Sequence, residues 1–232
     1  MKKTLLRCWV WCRRFRKRCG YGVHSPADFF FITFVIYEKL PFYSYLPLHH
    51  LRRLVAHLPG HREKVDKLFF RLVNFLQPNT VLEIGTGSGM TARYMAEANP
   101  KMTIYTYSDS ITQQVERLFS ARKQIHYSND DFINAIRLLP NERNSSVLFH
   151  IAHTPLYNEV YDEIINSVRA NDCLVITKPY ADKNKKKWWK LVQNDTRTGI
   201  TFDLYDIGIV FFDKKRIKEN RIVNFLKKDI FI

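Results

Sequence analysis

The stretch VLEIGTGSG, Val81 to Gly89, constrains the fold of this chain more than any other. Val81-Leu82-Glu83-Ile84 is an apolar run of strand length, and Gly85, Gly87 and Gly89 follow it at alternate positions. With no Cβ in the way, such glycines permit a tight turn and a close backbone approach by a ligand. The next segment, MTARYMAEAN, sets Met90, Tyr94, Met95 and Ala98 at helical spacing. Strand, glycine turn and helix in that order is how α/β folds hold the adenosine half of a nucleotide-like cofactor.

The rest of the chain repeats the theme. Apolar runs predict strands at Thr80–Ile84, Thr103–Tyr107, Gln124–Tyr127, Val147–Ile151 and Cys173–Thr177. Between them the patterns predict helices over Ser88–Ala98, Ile111–Ala121, Phe132–Leu139 and Leu156–Val168, with another over Asn184–Gln193. Strands apolar throughout imply a parallel sheet covered on both faces. Ile200–Tyr205 and Ile209–Phe212, parted by Asp206-Ile207-Gly208, predict a β-hairpin that closes the sheet. Before Pro78 the chain reads as a helical extension. Residues 1–20 form a basic helix or arm, and Ser25-Pro26 caps a helix over Ala27–Leu40. Two more helices are expected over His49–His57 and Arg62–Leu76. The expected organisation is therefore an extension over 1–77 and a cofactor-binding domain over 78–232, within a length that can bury a full core.

Glu83-Ile84-Gly85-Thr86-Gly87-Ser88-Gly89 resembles the first motif of class I S-adenosylmethionine methyltransferases. Gly20 to Tyr43, which contains Gly22-Val23-His24-Ser25-Pro26, resembles the lead-in of a bacterial family of small methyltransferases. The run Gly199 to Asn220 resembles that family's closing hairpin and basic tail. The resemblance spans nearly the whole chain. It implies a Rossmann-like α/β sheet of about seven strands, mostly parallel with the last antiparallel, and S-adenosylmethionine as cofactor. It also implies methyl transfer to an unidentified small-molecule or anionic acceptor.

By that resemblance Glu83, Gly85, Thr86, Gly87 and Gly89 underlie the cofactor's amino acid end. A carboxylate at the end of the second strand would take the ribose hydroxyls; Asp109 is the available acid, one position late. Asp130 or Asp131 would contact adenine, or either could cap the helix that follows. Cation-dependent relatives place an Asp at the end of the fourth strand and an acidic pair after the fifth. Here His150 and Thr177-Lys178 stand at those places, a set that would not hold a hard cation, so no metal is expected. His150 or His153, at the end of the fourth strand, could act as a base, or simply pack there. Lys178, Tyr180 and the Trp188-Trp189 pair could line an acceptor pocket or belong to the core. Cys8, Cys12, Cys19 and His24 lack the paired spacing of a zinc site.

The formal net charge is +15, from 37 basic and 22 acidic residues, and it is clustered. One cluster precedes Asp28, a second lies over 183–190 and a third over 214–218. With aromatic residues nearby, these clusters leave an alternative open: a methyltransferase-fold protein without activity, binding RNA or an acidic membrane surface. No apolar run reaches the roughly 20 residues of a membrane span. The start lacks the small-residue cleavage site of a signal peptide, and the cysteines do not form a disulfide framework. A cytoplasmic protein is the expectation.

Overall fold

The computed structural model describes residues 2–137 and 145–226. Five parallel strands form the centre of the sheet: β1 (Thr80–Ile84), β2 (Thr103–Tyr107), β3 (Ile125–Ser128), β4 (Val147–Ile151) and β5 (Cys173–Thr177). β4 and β5 are buried along their whole length, as apolar strands with helices on both faces must be. The hairpin strands β6 (Thr201–Asp203) and β7 (Ile207–Phe211) follow, and β7 inserts antiparallel between β5 and β6. An eighth strand, β8 (Asn220–Ile222), runs parallel to β6 at the edge, one more than the pattern of apolar runs suggested. Only three residues long and half polar on its exposed sides, it carries no readable period. The strand order is β3-β2-β1-β4-β5-β7-β6-β8.

The N-terminal elements are α1 (Lys2–Arg13), α2 (Pro26–Phe31), α3 (Tyr45–Arg52) and α4 (Glu63–Leu76). The helix expected over Ala27–Leu40 stops at Phe31 and passes into a single wide turn over Ile32–Ile36. Four of those five residues are β-branched, and branched side chains crowd the regular helical turn. Ser25 caps α2 by accepting from the Asp28 amide, and Pro26 opens it. Further on come α5 (Met90–Ala98), α6 (Gln113–Ser120), α7 (Phe132–Arg137), α8 (Tyr157–Ser167) and α9 (Lys183–Asn194). The last two residues of the helix expected over Phe132–Leu139 lie outside the described residues.

Two apolar layers sandwich the sheet. On one face Phe31, Val35, Leu68, Phe69 and Leu72 pack with Met95, Ile104 and Leu148, so the N-terminal helices share a core with the strands. On the other, Val160, Ile164, Trp189 and Val192 pack with Leu82, Phe149 and Ile176. Trp189 is fully buried and Trp188 nearly so; these rings belong to the second layer of the core. α1 is docked on the sheet. The Arg7 guanidinium forks onto Asp206 at 2.6 and 2.7 Å, and Arg14 donates to Asp203 at 2.9 Å. Among the described residues no helix is long and apolar enough to cross a membrane.

Candidate functional site

The carboxyl ends of β1, β2, β4 and β5 meet at the point where the strand order reverses, the usual place for a ligand in an open α/β sheet. The β1–α5 turn sits there. Gly85, Gly87 and Gly89 have φ of +102°, +55° and +68°, a region that favours glycine. This repeated left-handed backbone turns the chain from strand into helix within five residues.

Beneath the turn runs a buried polar chain. Strand register aligns Glu83 with Thr106 of β2 and with His150 of β4. A Glu83 carboxylate only accepts, so His150 Nδ1 donates to it at 3.0 Å and Thr106 Oγ1 at 2.7 Å. Thr106 in turn bonds Thr86 at 2.8 Å. In the other direction His150 Nε2 meets the Thr177 hydroxyl at 2.9 Å, and that hydroxyl meets His61 Nε2 at 3.2 Å. Six side chains from β1, β2, β4, β5, the glycine turn and the segment before α4 are thus joined, all of them buried. Satisfied networks of this kind lock the elements that contribute to them.

The candidate site residues separate into three groups. Glu83, Thr86 and His150 point into this chain and support the turn from below. His150 is fully buried with both ring nitrogens engaged, which fits packing at the strand end, one of the two roles its position offered, rather than action as a base. Asp130 accepts from Ser128 Oγ at 2.7 Å, and Asp131 accepts from the Ile133 amide at 2.9 Å, which makes it a cap for α7. Asp109 is exposed, and among the described residues its carboxylate makes no hydrogen bond. It stands at the end of β2 beside Ser108.

His153 lies over the glycine turn. A Cβ on Gly87 would come within 3.0 Å of its ring, and among the described residues its Nε2 is buried with no hydrogen-bond partner. Burial, then the positive charge of Lys178, pushes its pKa down to about 4. Burial also pushes His61 well below the usual histidine range, helped by His150 and His153. Both rings are therefore neutral at pH 7. In the unfolded chain they would take protons below about pH 6.5, so the folded state loses stability as the pH falls from there towards 4. Asp66, whose carboxyl burial pushes up to about 6, acts in the opposite sense over the same range. Two histidines outweigh one carboxyl. Urea unfolding at pH 5 should show about 2 kcal/mol less stability than at pH 7. A flat profile would mean that the folded protein accommodates the imidazolium forms.

Residues 59–61 close the remaining side of the turn. The Pro59 carbonyl accepts from the Ser88 amide at 2.7 Å and would stand 2.6 Å from a Cβ on Gly87. A Cβ on Gly85 would lie 2.5 Å from the His153 backbone nitrogen. The sequence did not reveal that Pro59, His61, Thr106 and Thr177 would meet at the turn and the polar chain beneath it. The last two had a signal, a polar residue in a strand otherwise buried and apolar, whereas Pro59 and His61 had none.

No protein-family model matches this sequence, and no curated protein matches it. Solved structures do match in fold. A methyltransferase of Podospora anserina with S-adenosylhomocysteine bound is 14% identical, with a TM-score of 0.59 over 82% of this chain and 96% of its own. An O-methyltransferase of Streptomyces achromogenes, solved with S-adenosylmethionine, is 14% identical at a TM-score of 0.54 over 75% of this chain and 91% of its own. An O-methyltransferase of Bacillus cereus in complex with S-adenosylhomocysteine is 13% identical at 0.55, over 77% and 95%. The chain has the fold of the class I methyltransferases.

Proposed function

We propose that this protein is an S-adenosylmethionine-dependent methyltransferase acting without a metal. The observation that carries this reading is the triple-glycine turn of left-handed backbone at the switch point of a methyltransferase sheet. The structural neighbours solved with the cofactor or its product support it. The residues present fit the cofactor's adenosine half: Asp109, exposed at the end of β2, would accept from the ribose hydroxyls, and Asn129 and Asp130 lie exposed beyond β3. The amino acid half would lie at the glycine turn and would require Pro59 to release the Ser88 amide.

When bound, the cofactor supplies a methyl group already activated by the sulfonium charge, so placement of the acceptor provides much of the rate. His153 is the base this chain offers. It is neutral at physiological pH, faces the turn and holds an unpartnered Nε2. A base of such low pKa suits an acceptor that is itself nucleophilic or sheds its proton late. Metal independence rests on the donor set: His150 is consumed by Glu83 and Thr177, and Lys178 stands next in the chain. The cytoplasm remains the proposed compartment, on the sparse and unevenly spaced cysteines.

Calorimetric titration with S-adenosylmethionine and S-adenosylhomocysteine tests the reading. Micromolar binding is expected, and Asp109→Ala should weaken it about tenfold, the value of one good hydrogen bond to a charged group. Asp109 is exposed, so the variant should melt like the parent. Absence of binding by folded protein would overturn the assignment. One observation favours a second reading in that event: the Pro59 carbonyl already occupies the turn, as it would in a scaffold that has lost its cofactor.

A further inference from the structure

Beyond β5, on the same carboxyl edge of the sheet, lies a second concave site of about 540 Å³. It runs between α1 and the start of α9 and is bounded by Tyr205 after β6 and Ile222 of β8. Arg13 and Lys17 face it from the N-terminal segment, and Lys183 and Lys186 from α9. All four are exposed, and among the described residues none of them pairs with a carboxylate. The acids nearby are already committed. Asp182 caps α9 by accepting from the Asn184 and Lys185 amides, while Asp203 and Asp206 hold Arg14 and Arg7. Four cations brought together from two distant parts of the chain create a local positive field that an anion would relieve.

The walls are aromatic. Trp9 is 56% exposed, and the Arg13 guanidinium lies 4.8 Å from its ring centre. Tyr180 and Tyr205 stack at 5.1 Å with their planes 15° apart. Arg14 lies 5.5 Å from each of these two rings, so the open aromatic wall is Trp9, which an inorganic anion would leave unused. The size of the site is that of a small-molecule pocket.

We propose that this groove binds a small planar molecule carrying a phosphate-like group, with the anion between α1 and α9 and the ring against Trp9. The charge distribution favours this over a nucleic acid track. The third basic cluster follows β7, whose antiparallel course carries it to the opposite edge of the sheet. There Arg216 pairs with Asp28, and Lys218 bonds Thr198 at 2.8 Å. Arg221 of β8, which shares a hollow with Lys17, also pairs with Asp28, so this link between the two edges is already neutralised. The inference goes beyond the cofactor reading and does not rest on it, since binding is measured without S-adenosylmethionine.

Titration of the full chain with 1-naphthyl phosphate, 1-naphthol, inorganic phosphate and a short single-stranded oligonucleotide provides the test. 1-Naphthyl phosphate should bind about tenfold more tightly than either of its parts. The double variant Lys183→Ala/Lys186→Ala should weaken it about tenfold with unchanged melting, both side chains being exposed. Trp9→Ala should lower its affinity to that of phosphate alone. The proposal fails if naphthyl phosphate does not bind, if the double variant binds it as well as the parent, or if phosphate alone binds equally. Tighter oligonucleotide binding that grows with strand length would replace it with a nucleic acid surface.

Discussion

Replacing Gly85 by valine should destabilise the protein by about 4 kcal/mol, the sum of a strained backbone and an overpacked contact. Its φ of +102° lies where side chains other than glycine are rarely found, and a Cβ there would stand 2.5 Å from the His153 nitrogen. The neighbour is backbone, held by the Ala152 amide donating to Ile84 at 2.9 Å, so it cannot swing aside as a flexible side chain would. Urea denaturation followed by circular dichroism gives the number. A loss under 1 kcal/mol would mean that the β4 end and the turn are not packed as described. The result bears on function as well, because the same contact places His153 over the turn.

Removal of the carboxylate beneath the turn should cost nearly as much. Glu83→Ala leaves the His150 Nδ1–H and the Thr106 hydroxyl without their acceptor in a site closed to water, and each buried donor left unsatisfied costs about 1–3 kcal/mol. Glu83→Gln keeps an acceptor for His150 and can donate to Thr106, so its cost should stay near 1 kcal/mol. The contrast between the two variants, read by the same denaturation experiment, separates the network from simple loss of volume. Equal costs would show that the hydrogen bonds contribute little. If the cofactor binds as proposed, Glu83→Gln should also bind it with nearly unchanged affinity, since both carboxylate oxygens face away from the turn's outer surface.

Charge clustering alone did not indicate which basic residues are available. Eight lysines and arginines precede Asp28, yet Arg7 and Arg14 are used to anchor α1 against Asp206 and Asp203. The arm is therefore part of the folded body through these pairs. Of the basic residues left over, Arg13 and Lys17 face the proposed groove, together with lysines of α9 that lie some 170 positions away in the chain. The roles of Asp130 and Asp131 were similarly divided: the sequence offered adenine contact or capping, and Asp131 caps α7 while Asp130 accepts from Ser128 and stays exposed.

What the amino-acid sequence determined by itself is the architecture. Uniformly apolar strands can only be buried on both faces, glycines at alternate positions can only mark a sharp turn, and these are local properties of a few adjacent residues. They place β1, β2, β4 and β5 at the residues where they are found, and they predict the closing hairpin. The tertiary structure alone decided the chemistry around the turn. Glu83, Thr106, His150 and Thr177 become neighbours only once the strands are ordered β2-β1-β4-β5 and set in register, and no short-range pattern encodes that alignment. Pro59 and His61 reach the glycine turn because α4 packs across α5, which brings a segment without periodicity of its own against Ser88 and Thr177. Burial then makes His61 and His153 neutral, and burial is a property of the assembled core rather than of any stretch of chain.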